Sequence, residues 1–235
     1  MSILELVILF LSVIIGAGFV LVVGIRSGRT IKLLLSFSGA FLFGITILHL
    51  LPEVYHSHGI RAGVFVLIGF ILQILLEFFS KGVEHGHMHL HDLPKGIFPF
   101  SIFISLCIHS FMEGMPLGHD HDPGHTLLYG IIVHKVPVAV TLASILLASG
   151  IKKGALLIWM GVFALMAPAG LFLGDQIQQF SDAESNSFVI ILALVAGMFL
   201  HISTTILFEI SHAHKFDALK FGVVVVGSVL AYLIA

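Results

Sequence analysis

The chain reads as an all-α polytopic membrane protein of eight transmembrane helices, and three observations predict it. Apolar residues make up 58% of the 235 positions and charged residues only 10%, with a mean hydropathy of +1.11. A water-soluble domain carries about a quarter charged residues, so too few are present to coat a surface facing water. The apolar residues fall into eight runs close to the roughly 20 residues a spanning helix needs, and nearly all the charge lies in the short joins. Too little chain is left over for a soluble domain, so residues 1–235 read as a single transmembrane domain. A net charge of -2 with no basic, aromatic-interleaved patch points away from nucleic acid. The lone Cys107 excludes an intrachain disulfide scaffold.

The first run, Leu4 to Gly24, extends well past a signal-peptide core of roughly 7 to 15 residues without an obvious cleavage site, so a retained helix is expected. Glu5, near its outer end, reads as interfacial. The second run, Ile31 to Val54, ends in LHLLPEV, where His49 and Glu53 stand one helical turn apart. Pro52 is expected to bend or unwind this end and free backbone carbonyls. His49 and Glu53 read either as solvated interfacial groups or as metal ligands at an entrance. The third run, Ile60 to Phe79, carries Gln73 and Glu77, both read as interfacial at the cytoplasmic end. A loop of about residues 80–95 follows, in which His85, His87, His89 and His91 alternate with other residues. Such a tract binds borderline metals weakly and reversibly, or is simply a tolerant loop that has accumulated histidines.

The fourth and fifth runs, Gly96 to Leu117 and Thr126 to Ser149, hold the centre. His109 and Glu113 share a helix face one turn apart, Ser110 offers a weak oxygen ligand, and His134 precedes Pro137 by three residues. Imidazole and carboxylate are ordinary ligands for borderline metals. Inside hydrocarbon an ionised Glu needs a cation, a proton or a wet cavity. Lys135 sits too deep in its run to snorkel easily, and Glu113 is its natural counter-ion. The join between the two runs, with His119, His121, His125, Asp120 and Asp122, would concentrate divalent cations by charge and ligation.

The sixth run, Gly154 to Gly174, has Pro168 but no titratable group before Asp175, which is assigned to the following turn. The seventh, Ser187 to Ile210, places His201, Thr205 and Glu209 on one stripe. That stripe is either the wall of a wet passage that handles metal or a hydrogen-bonded helix seam. The eighth, Leu219 to Ile234, carries nothing chemical. A short echo, Gly39-Ala40-Phe41-Leu42 against Gly197-Met198-Phe199-Leu200, suggests an inverted repeat. The expected plan is therefore 3+2+3, with the first and last three helices flanking the fourth and fifth. Arg and Lys crowd the odd-numbered joins, which places those joins in the cytoplasm and both termini outside.

The residues His109-Ser110-Phe111-Met112-Glu113-Gly114 resemble the His-Asn-x-Pro-Glu-Gly motif in the fourth helix of the ZIP family of divalent metal-ion transporters. His134-Lys135-Val136-Pro137-Val138-Ala139 is similar to that family's fifth-helix His-Glu-x-Pro-Glu-Gly, and Leu48 to Glu53 to its Leu-His-x-x-Pro-Glu ending. The resemblance implies eight helices and import of zinc, iron or manganese. It also implies a two-metal centre on helices four and five, completed by a Glu from helix six. Here Lys135 and Val138 replace two carboxylates, and Ala167 stands where the sixth-helix Glu is expected.

The functional expectation is import of a divalent cation into the cytoplasm, with zinc first and Fe2+ or Mn2+ as alternatives, through one ion site on helices four and five. Its candidate metal residues are His109, Glu113, His134, Ser110, His49, Glu53, His201 and Glu209. The metal is substrate, no organic cofactor is expected, and the surroundings are membrane lipid, with a bacterial plasma or inner membrane as the expected location. A homodimer is left open. Two rival readings also stay open: an intramembrane zinc-dependent hydrolase, and a membrane metal sensor that does not transport.

Overall fold

The computed structural model describes residues 2–24, 28–83, 96–118, 125–180, 187–208 and 217–234, and every regular element among them is helical. Helix α1 is Ile3–Val23, and α2 runs as Gly28–Ile45, a π-helical turn Thr46–Leu50 and a further α-helical segment Leu51–His58. Then follow α3 (Ile60–Ser80), α4 (Phe100–Gly114, closing in a 3-10 turn Met115–Gly118), α5 (Thr126–Ala148), α6 (Lys153–Phe180), α7 (Ser187–Phe208) and α8 (Ala218–Ile234). Seven are long and apolar enough to cross a membrane, and α8, at 17 residues, is apolar but shorter. Its length of about 26 Å is close to the hydrocarbon thickness of roughly 30 Å. The eight-helix expectation holds.

Local chemistry sets the ends. Ser2 and Glu5 form a reciprocal capping box on α1, with Glu5 N–H donating to Ser2 Oγ at 3.2 Å and Ser2 N–H to Glu5 Oε2 at 2.9 Å. Glu5 thus caps its own helix. Asp217 caps α8 by accepting from the N–H groups of Leu219 and Lys220 at 3.1 and 3.2 Å. Pro52 does not unwind α2. The chain widens into the π turn just ahead of it, where Leu51 N–H donates to Thr46 O, and then continues as helix to His58. A wider turn relieves the clash between a proline ring and the carbonyl four residues back, without ending the helix. Helix α6 likewise runs on to Phe180, so Asp175 lies within a helix, nearly buried, and accepts from Gln179 Nε2 at 2.7 Å.

The packing pattern has an internal exchange. Helix α3 packs on α7 as α8 packs on α2, and α1 packs on α5 as α6 packs on α4, while α1 meets α6 and α2 meets α7. Swapping the first three helices for the last three, and α4 for α5, maps these pairs onto one another, as the 3+2+3 expectation requires. Glycine makes the tight crossings. A Cβ on Gly69 would collide with the Leu194 backbone and one on Gly197 with the Val66 carbonyl, so α3 and α7 meet backbone to backbone. Gly227 against the Phe37 carbonyl does the same for α8 and α2, where Gly44 also makes room for the Ala231 methyl. The echo of Gly39 with Gly197 is not one of equivalent packing, because Gly39 faces Ile206 of α7. Large apolar side chains such as Ile71, Phe78 and Ile158 are exposed on the outside of the bundle, as lipid-facing positions are.

Candidate metal centre

Helices α4 and α5 bring the central residues together. His109, Glu113 and His134 are 1%, 2% and 0% exposed. The four-residue spacing on α4 puts His109 Nε2 3.0 Å from Glu113 Oε1, and α5 places His134 Nε2 3.8 Å from the same oxygen. All three ligand atoms lie within 4.8 Å of one another, and among the described residues this is the one group of three or more His, Cys, Asp or Glu so arranged. The two imidazoles stand edge to face, centroids 6.0 Å apart at 86°. Tetrahedral zinc with bonds of about 2.0–2.1 Å sets neighbouring ligand atoms about 3.3 Å apart. The separations from Glu113 Oε1 straddle that value, so small side-chain rotations would close the set on an ion and leave one coordination position open.

The other carboxylate oxygen is occupied. Lys135 Nζ donates to Glu113 Oε2 and to Ser110 Oγ, both at 2.8 Å, and is itself 1% exposed. The Phe163 ring lies 5.8 Å from the same Nζ. Glu113 therefore does serve as the counter-ion of Lys135. Ser110, expected as a weak metal ligand, instead accepts from Lys135. Val138 and Ala167, at the positions of the missing carboxylates, are buried and cannot ligate, and Ala167 offers its backbone to Gly114 in a tight α4–α6 crossing.

A second layer orients the imidazoles. His109 Nδ1 lies 3.2 Å from Gln73 Oε1, and His134 Nδ1 lies 3.5 Å from Ser38 Oγ, which donates to Leu35 O at 3.1 Å. Gln73, expected at an interface, is 0% exposed. Sequence reasoning missed it, although an amide inside the apolar run Ile71-Leu72-Gln73-Ile74-Leu75 was the available signal. Glu77, also expected to be interfacial, pairs through Oε2 with His201 Nε2 of α7, and the Phe70 ring packs edge-on against that imidazole at 4.9 Å.

The other candidates are not gathered at the centre. His49 and Glu53 are partly buried along α2 and stand outside the three-ligand group. On α7, the hydroxyl of Thr205 on the stripe donates to His201 O at 2.9 Å and that of the adjacent Thr204 to Leu200 O at 2.6 Å, so these threonines are satisfied by their own helix. Glu209, the histidines from His85 to His91, and His119 and His121 lie outside the described residues.

Comparison with known proteins gives the following. Residues 87–235 match the family model described as ZIP Zinc transporter. "Zinc transporter ZIP9-B" of Xenopus laevis is 28% identical over 172 residues, covering 66% of this chain and 55% of that protein. "Zinc transporter ZIP1" of Takifugu rubripes is 34% identical over 121 residues, covering 50% and 40%. "Zinc transporter ZIP1" of Danio rerio is 26% identical over 140 residues, covering 52% and 46%. The chain thus spans about half the length of the curated relatives it matches. These relatives are frog and fish proteins and lend no support to the expected bacterial membrane.

Proposed function

Because the chain belongs to the ZIP zinc transporter family, we propose that it carries a divalent cation, zinc before iron or manganese, across the membrane and into the cytoplasm. One ion at a time binds between α4 and α5 at His109 Nε2, Glu113 Oε1 and His134 Nε2. The observation that carries this reading is the convergence of three buried ligand atoms on one point, within 4.8 Å, in the middle of two spanning helices. Two imidazoles and a single carboxylate oxygen favour zinc over magnesium or calcium, which take all-oxygen shells.

The single-ion form follows from the replaced carboxylates. Two dications a few ångströms apart repel strongly and need bridging oxygens between them. Val138 and Ala167 supply none, and Lys135 already holds the far oxygen of Glu113. The ammonium thus supplies the positive charge that a second ion would bring. His49 and Glu53 serve the approach from outside, and Glu77 with His201 the departure toward the cytoplasm. The hydrolase reading needs Glu53 or Glu209 as a base beside the ligands; Glu53 is not in the three-ligand group, and Glu209 lies outside the described residues. Zinc uptake into liposomes containing the purified protein tests the proposal. Glu113→Gln is expected to lower uptake at least tenfold, and uptake at the unmodified rate by the folded variant would overturn the assignment.

A further inference from the structure

We propose that Gln73 is a positioning residue for the central site: its side-chain oxygen holds the His109 ring with the proton on Nδ1, so that Nε2 turns a lone pair toward the cation. The proposal rests on the reading of His109, Glu113 and His134 as the ion site.

Gln73 is an expensive residue where it stands. A primary amide buried in a spanning helix costs a few kcal/mol unless hydrogen-bonded, and Gln73 is 0% exposed on α3. Its place is fixed from two sides. One turn along the α3–α4 seam, Ser105 Oγ donates to Leu76 O at 2.6 Å and sets the register of the two helices. On the opposite side, Gly69 lies against the backbone of α7 at Leu194. The amide oxygen is thereby held 3.2 Å from His109 Nδ1.

The consequence is a choice between two neutral forms of one ring. A neutral imidazole carries its proton on one nitrogen and a lone pair on the other. With the proton on Nε2, that proton would lie off hydrogen-bond geometry to Glu113 Oε1, 3.0 Å away, and would block the nitrogen as a ligand. With the proton on Nδ1, the ring donates to Gln73 Oε1, and Nε2 and Glu113 Oε1 are both left for the ion. An amide oxygen can only accept, so it favours the second form. Ser38, the corresponding partner of His134, gives its one hydroxyl proton to Leu35 O and so also accepts, but across a longer 3.5 Å contact. The closer of the two acceptors is Gln73. Loss of such an outer partner typically lowers metal affinity by about 10- to 100-fold.

The experiment uses the full chain in lipid nanodiscs, with zinc alone as ligand, titrated against a chelating dye. Gln73→Met keeps the side-chain length and removes the acceptor, whereas Gln73→Glu keeps an acceptor. The expected result is zinc binding weakened about 10- to 100-fold in Gln73→Met and restored to within a few-fold in Gln73→Glu. Nitrogen NMR of isotope-labelled histidine in the zinc-free protein at mildly alkaline pH should show the His109 proton moving from Nδ1 to Nε2 in Gln73→Met. That signal is identified by its loss in His109→Ala. A purely packing role predicts the reverse order, with Met tolerated and the charged Glu disruptive. That order, or an unchanged tautomer in Gln73→Met, overturns the proposal alone. Zinc binding unaffected by His109→Ala overturns the ion-site reading and this inference with it.

Discussion

Replacing Lys135 by Met is expected to move stability and zinc affinity in opposite directions. Lys135 Nζ makes two contacts of 2.8 Å, and it and Glu113 are 1% and 2% exposed. Removing one partner of a buried ion pair strands the other and costs about 3–5 kcal/mol. For a chain of this size each kcal/mol lowers the unfolding midpoint by about 2–4 °C, so the zinc-free variant should melt roughly 6–20 °C lower. The ion sees the opposite. Bound about 2 Å from Glu113 Oε1, a dication would sit roughly 5 Å from Lys135 Nζ and, at an effective dielectric of about 20, be repelled by about 7 kcal/mol. Relief of even a third of that raises affinity more than tenfold. The assay is an unfolding curve without and with saturating zinc, alongside a chelator-competition titration. Zinc should restore most of the lost midpoint, and uptake should fall because release slows. If Lys135→Met melts lower yet binds zinc no more tightly, the ammonium is not beside the ion and the reasoning fails.

Two further outcomes follow from the same geometry. Lys135→Glu combined with Val138→Glu should create a second central ion, seen as two anomalous-scattering peaks between α4 and α5 in zinc-soaked crystals where the unmodified protein shows one. Gly170→Ala should destabilise the fold by about 1–3 kcal/mol, because its Cβ would enter the Phe111 carbonyl, while Gly161→Ala, which meets open space, should leave the unfolding midpoint unchanged.

The chain's local chemistry was legible where the signal is local. Apolar runs marked the helices, and the four-residue spacing of His109 and Glu113 fixed a shared face before any partner was known. Lys135 announced a counter-ion because an ammonium so deep in a membrane must have one. What was hidden depends on which face of one helix meets another. Gln73 and Glu77 share a face of α3, and nothing in their own run says that the first meets His109 and the second His201. Asp175 was placed in a turn because membrane-length reasoning stops a helix that in fact runs to Phe180. Pro52 is expected to bend or unwind the end of α2, but proline alone does not say whether a helix unwinds or widens by one residue.

The two helices that carry the ligands share little backbone packing and are tied at the site by Lys135, whose Nζ reaches Glu113 Oε2 and Ser110 Oγ at 2.8 Å. Helix α4 leans on α3 and α6, and α5 leans on α1 and α2. His109 and Glu113 therefore ride with one set of neighbours and His134 with the other, and on the proposed function a bound cation would add a second fastening beside the Lys135–Glu113 pair. Ligand bonds tolerate only about 0.2 Å of error, so a slide of α5 past α4 by about an ångström would pull His134 out of reach and leave the ion on two ligands. Grip on the cargo and the relative station of two helix groups are then one variable. On the proposed function, loading would draw α4 and α5 together, and parting them would release the ion.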